Sequence, residues 1–364
     1  MKLAEAFDLD DACAPSGGAY RVGLVVPEQG PAGIFGPSCE AVSQLAVEQI
    51  NTEGGVLGRP LEFDILDGGA DPHLIRRQLD RLIRTRRIHA VTGWHISAVR
   101  QQLSPIVDHR IPYVYTSLYE GGEQTPGVFC SGETPVDQVL PALRWLRDRA
   151  GVSRWFIVGD DYVWPRASAA VTRRYARHLA VNILGEAYVP LGNTNWSKVL
   201  SNIELSGANG VIMYLVGQDA VTFNRAFAAR NLHQSVIRFS PLMEENMLMA
   251  SGSAATQSLF VAASYFRSLA TAGAMDLMGD YIARFGPSAP PLNNAAESCY
   301  EGIRTLAELL RRAGSTDIDR MLAVADSVGY DGPRGAMQMH QAHLRQPVYL
   351  ARADGFDFDI LTAL

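Results

Sequence analysis

Two patterns alternate along most of this chain: short apolar runs rich in β-branched residues, and longer stretches whose apolar residues recur every three or four positions. RVGLVV at 21–26 is the first run, bounded by Pro27, and suits a strand buried on both faces of a parallel sheet. A helix is predicted over 37–53, with Val42, Leu45, Ala46, Gln49 and Ile50 on one side and Gly54-Gly55 as its stop. Strand 61–66, helix 73–86 and strand 88–92 continue the series. Such alternation predicts an α/β fold, a doubly wound parallel sheet with right-handed crossovers.

The series begins again after Cys130. Helix 135–150, strand 155–158, a helix near Pro165, strand 181–188, helix 196–205, strand 210–215, helix 220–229 and strand 236–239 follow in turn. Two similar halves in tandem imply two doubly wound parallel-sheet lobes with a ligand cleft between them. After strand 259–263 the chain reads as helices near 276–285, 293–312 and 317–327, then as strand-like runs at 336–339, 346–351 and 356–360. That late change predicts that the chain crosses between lobes more than once. The expected division is 20–131 plus 262–328 for the first lobe and 132–261 plus 329–364 for the second, after a polar leader over 1–19.

The most informative stretch is 93–122, GWHISAVRQQLSPIVDHRIPYVYTSLYEGG. It reads as a strand end, a helix opening at Ser97, a short strand 112–115 and a polar-aromatic loop. In an open α/β sheet, ligands bind at the carboxyl ends of strands, where unpaired N–H groups of the following helices point into the crevice. Ser97 is placed to cap such a helix, and Tyr115, Ser117 and Tyr119 gather two rings and a hydroxyl at the same edge. Trp94 joins them from the first half, and Tyr162, Trp164, Gly217 and Gln218 follow strand ends of the second. Glu244 and Glu245 follow another strand; helix N-terminal placement accounts for both, and a functional one would accept from an NH₂ group at the cleft edge.

Composition narrows the function. The chain has 364 residues, 47% apolar and 19% charged, with a formal net charge of −6, which disfavours nucleic acid as a partner. The arginines of IRRQLDRLIRTRR at 75–87 alternate with a helical apolar stripe and read as a solvated face. No apolar run reaches the ~18 residues of a membrane-spanning helix. Residues 1–19 carry several acids and no apolar core of the kind an export signal needs, so the expected location is cytoplasmic, or periplasmic or extracellular if a leader has been removed. Cys13, Cys39, Cys130 and Cys299 lack metal-ligand spacing, and no metal or cofactor is expected. There is no G-x-S-x-G elbow, H-E-x-x-H, P-loop or G-x-G-x-x-G after the first strand. A hydrolase using His95 with Asp160 or Asp161 is the enzyme alternative, and it lacks a nucleophile turn.

LAVEQINTEGGVLGRPLEF, YVYTSLYEGG, FIVGDDYVWPRA and DGPRGAMQMHQAHLRQPVYL together resemble type I periplasmic-binding-protein-like receptors. The resemblance is nearest to the short-chain amide and urea branch, which includes the aliphatic amidase regulator and importer binding subunits. It implies a non-catalytic receptor in which Ser97 and Ser117 hydrogen-bond a small amide or urea, Tyr115 lines the pocket, and Tyr162 with Trp164 closes over it. Trp164, Leu118 and Gln218-Asp219 depart from the branch pattern. The resemblance implies an amide sensor with a regulatory partner protein. The alternative is the binding subunit that serves an ABC permease, taking urea, amides or branched-chain amino acids. It also implies a homodimer through an apolar helix face of the first lobe.

Overall fold

The computed structural model describes residues 18–364, so Cys13 and nearly all of the 1–19 leader lie outside the described residues. The first sheet starts from β1 (Tyr20–Val26), β2 (Leu61–Asp67), β3 (Ala90–Gly93), β4 (Tyr113–Tyr115) and β5 (Val128–Cys130), all parallel. Their side chains are buried on both faces in β1, β3, β4 and β5, as continuous apolar runs demand. Helices α1 (Gly36–Thr52), α2 (Pro72–Arg84) and α3 (Ser97–Val107) supply the crossovers.

The second sheet repeats the scheme with β6 (Arg154–Asp160), β7 (Asn182–Val189), β8 (Gly210–Tyr214), β9 (Ile237–Ser240) and β10 (Leu259–Ala263). Its helices are α4 (Val139–Ala150), α5 (Val163–His178), α6 (Ser197–Ser206), α7 (Gln218–Ala229) and the short α8 (Glu245–Ser251). The chain then returns to the first lobe through α9 (Ala272–Phe285), α10 (Asn294–Ala313) and α11 (Ile318–Val324). The Asn293 side chain caps α10 by accepting from the Ala296 N–H, and α10 packs along α1.

Neither sheet is purely parallel. β11 (Gly329–Gly332), β12 (Gly335–His340) and β13 (His343–Arg345) form an antiparallel meander whose last strand pairs parallel to β5, giving the order β11-β12-β13-β5-β4-β3-β1-β2. β14 (Tyr349–Asp354) and β15 (Asp357–Ala363) add an antiparallel edge beyond β10 in the second sheet. Residues 329–345 therefore join the first sheet and not the second, which corrects the division expected at 329. Residues 259–263 belong to the second sheet, so the return crossing follows 263 and not 261. Local alternation marks a strand but does not say which edge will accept its backbone hydrogen bonds.

Three segments thus connect the lobes, after β5, after β10 and between β13 and β14. They are stitched together. Glu133 Oε1 accepts from the Ser264 N–H at 2.8 Å, Gln138 Nε2 donates to the Ala262 carbonyl at 2.8 Å, and Gln346 Nε2 donates to the Ser131 carbonyl at 2.8 Å.

Candidate functional site

Gly93 and Tyr115 are register partners in β3 and β4, so the loops that leave them open side by side at one sheet edge. From the second lobe, the turns after β6 and β9 face that edge. Between them lies a cavity lined by Trp94, His95, Ile96, Ser97, Ser117, Leu118, Tyr162, Trp164 and Leu242. Its volume is about 10 Å³, room for about one water molecule, so the lobes stand closed on it.

Five residues named from sequence converge here: Trp94, Ser97, Ser117, Tyr162 and Trp164. Ile96, Leu118 and Leu242 complete the apolar wall, and Ile96 and Leu242 were not among the sequence candidates because an apolar side chain carries no chemical signal. The rings are held by edge contacts. Trp94 meets Phe35 at 4.7 Å between centroids and Trp164 meets Tyr214 at 5.5 Å, both in T-shaped geometry. The Trp94 Nε1–H has no hydrogen-bond partner.

Ser97 is not the cap of α3. Ile96 holds the N-cap position in extended conformation and offers no side-chain cap, which leaves the first N–H groups of the helix, at Ser97 and Ala98, without intrahelical partners. The Ser97 hydroxyl instead donates to Glu120 Oε2 at 2.7 Å. The Ser117 hydroxyl donates to the His95 carbonyl at 2.7 Å and accepts from the His95 N–H at 2.9 Å. Each hydroxyl has spent its single proton inside the protein; Ser97 retains two lone pairs and Ser117, which also accepts from His95, retains one.

Beneath this floor Arg100 is ion-paired with both Glu120, at 2.6 Å, and Glu123. Burial opposes its charge, but the carboxylates of Glu120 and Glu123 overcome that and hold the guanidinium protonated. The group sets two carboxylates against one guanidinium.

The remaining sequence candidates do other work. Tyr115 is fully buried below the cavity, donates to the His95 carbonyl at 3.0 Å and lies under the Arg100 guanidinium. Tyr119 packs against Arg100 and pairs its hydroxyl with His343 Nε2 at 2.6 Å. Neither lines the cavity. Gly217 approaches the first lobe at Pro31, and Gln218 is exposed at the start of α7. Glu244, expected as an acceptor at the cleft edge, is buried and accepts from the Asn294 and Ala295 N–H groups, so it completes the N-terminus of α10.

The hydrolase alternative has no chemistry available here. Burial pushes His95 down to about 3, and the neutral ring is fully engaged: Nε2 accepts from the Tyr113 hydroxyl at 2.8 Å and Nδ1 donates to the Ile96 carbonyl. Asp161 is exposed and paired with Arg166. Asp160 is buried against the Val216 N–H and Asp219.

The sequence pattern of the family described as Periplasmic binding protein matches residues 19–357. The chain belongs to that family. This binding protein is 23% identical over 359 residues to Leu/Ile/Val-binding protein homolog 6 of Brucella melitensis biotype 1, covering 94% of this chain and 90% of that one. A solute-binding protein of an ABC transporter from R. palustris, solved with benzoate, superposes with a TM-score of 0.82 at 19% identity over 95% of this chain and 96% of that one. The branched-chain amino acid binding protein LivJ of Streptococcus pneumoniae, solved with isoleucine, superposes with a TM-score of 0.81 at 14% identity, covering 95% and 98%. At these identities the two structures establish the fold of this binding protein. Among the described residues no helix is long and apolar enough to cross a membrane, and no cluster of His, Cys, Asp or Glu is arranged to hold a metal.

Proposed function

We propose that this protein is the periplasmic solute-binding component of an ABC importer, and that its cleft takes a compact, apolar-bodied solute with an acceptor oxygen beside an N–H donor, as in a carboxamide or an α-amino acid. One observation carries the ligand class: Ser97, whose N–H opens α3 without an intrahelical partner, and Ser117 line the same cavity, and both have already donated their hydroxyl protons within the protein. A carbonyl or carboxylate accepts from the helix N–H groups and from Trp94 Nε1. An amide NH₂ or an ammonium donates to the two serine oxygens. The carboxylate surplus behind Ser97 favours the donor end, and Trp94, Tyr162, Trp164 and Leu242 enclose the apolar body.

The relatives support the transport setting. They are named as binding proteins, and the amino acids in two of those names carry the donor and acceptor pair described above. The amide-sensor reading shares the ligand chemistry but has no such support for a regulatory partner protein, so a permease is the proposed partner. An aromatic carboxylate such as benzoate is a second reading, favoured by the rings. It brings no donor to the serine oxygens.

The mechanism follows from the cavity size. A solute enters only when the lobes part, docks on the α3 edge of the first lobe, and draws Tyr162 and Trp164 over it. Closing over a mismatched polar group costs roughly 1–3 kcal/mol, which gives the selectivity. Thermal-shift and calorimetric titration with propionamide, butyramide, urea, valine, leucine, isoleucine and benzoate test the reading. Carboxamides or amino acids are expected to raise the midpoint; a shift by benzoate alone rejects the ligand class, and no shift by any of them rejects the site.

A further inference from the structure

We infer that Glu120 is a specificity-determining residue of this cleft: it fixes the Ser97 hydroxyl as an acceptor towards the solute, and so selects N–H donors over carboxylates. The inference rests on the cleft being the solute site. Glu120 does not line the cavity; it acts through Ser97, as a positioning residue.

The geometry begins in the loop after β4. Gly121 and Gly122 have φ values of 89° and 82°, a conformation that side chains resist, and they turn the chain so that Glu120 and Glu123 both reach back to Arg100 on α3. All three charged side chains are nearly excluded from solvent, at 6–7% exposure. Glu120 Oε1 accepts from Arg100 Nη2 at 2.6 Å, which leaves Oε2 for Ser97 at 2.7 Å. A carboxylate locked to a guanidinium accepts and does not donate. The Ser97 proton must therefore point at Glu120, which does not line the cavity that Ser97 borders.

Two consequences reach the solute. The hydroxyl presents lone pairs only, so a ligand atom beside it must carry hydrogen. The second carboxylate also leaves the group beneath α3 with one negative charge in excess, which opposes a bare anion at the same spot.

An isosteric exchange reverses both. In Glu120→Gln, Arg100 holds the amide oxygen as acceptor, so the amide NH₂ faces Ser97. Ser97 must then accept from it and turn its own proton into the cavity. The carboxylate surplus disappears as well.

The test is calorimetric titration of the full chain with two isosteric pairs, butyramide against butyrate and benzamide against benzoate. The wild type is expected to prefer the carboxamide of a pair, and Glu120→Gln is expected to move the ratio of the two dissociation constants about tenfold or more towards the carboxylate, the scale of one charge-assisted hydrogen bond. A general loosening of the site would weaken both members and leave the ratio alone. Ser97→Ala removes the acceptor while keeping the Arg100 pairs, so it serves even where Glu120→Gln does not fold. It is expected to reduce the carboxamide preference and to shrink the effect of adding Glu120→Gln to the part that comes from the lost carboxylate charge. Wild-type binding with an unmoved ratio in these variants overturns the role of Glu120 alone; binding of no member of either pair by the wild type overturns the ligand class and this assignment with it.

Discussion

Asn246 of α8, in the second lobe, donates a hydrogen bond of 2.8 Å from Nδ2 to the carbonyl of Ile34, in the turn that follows β1 of the first lobe. It forms only when the lobes are closed, so it belongs to the energy of closure and not to the fold of either lobe. Asn246→Ala is expected to leave the melting midpoint without solute nearly unchanged and to raise the solute dissociation rate about three- to tenfold, the worth of one net hydrogen bond. Stopped-flow tryptophan fluorescence measures the rate.

Gly217 sits a few residues from that contact in space. Its φ of 48° with ψ of −115° suits glycine, and a Cβ there would overlap the carbonyl oxygen of Pro31 across the lobe boundary. Gly217→Ala therefore strains its own turn by roughly 1–3 kcal/mol and, separately, props the lobes apart. Solute affinity is expected to fall at least tenfold, and small-angle scattering is expected to show a molecule that stays extended under solute concentrations that compact the wild type.

His95 links stability to pH. Its ordinary value of 6.5 falls to about 3 in the folded chain because burial penalises the imidazolium. Between those values the unfolded chain binds a proton that the folded chain refuses, so the contribution of His95 to stability is present above about 6.5 and is lost as pH falls towards 3, with a slope approaching about 1.4 kcal/mol per pH unit. The gap in melting midpoint between the wild type and His95→Gln is expected to narrow over that range. A gap that is constant with pH would place the proton elsewhere.

Gly302 lies where α10 crosses the first sheet. A Cβ added there would come within 2.6 Å of Thr92 Oγ1 and overlap the Thr116 methyl. Gly302→Ala is expected to destabilise the first lobe by about 1–3 kcal/mol despite the better helix propensity of alanine, because overpacking a closed helix–sheet contact outweighs it. Urea denaturation followed by circular dichroism checks the sign.

The alternation of buried strands with amphipathic helices was sufficient to read two α/β lobes and the edge at which β3, β4 and β6 open, because periodicity and burial are properties of single segments. Residues placed just beyond strand ends, Trp94, Ser97, Ser117, Tyr162 and Trp164, could be picked out for the same reason, and they meet at one cavity. Tyr115 and Tyr119 follow the same rule in sequence yet turn beneath the floor, since the pleat and the Arg100 pairs, not the position along the chain, decide which face a ring takes. Only the tertiary structure assigned 329–345 to the first sheet, gave Glu244 to the N-terminus of α10, and brought Glu120 to Ser97 across 23 residues of chain. Those choices depend on which distant backbone group or side chain is left to accept a hydrogen bond, and a linear sequence does not contain that pairing in any local window.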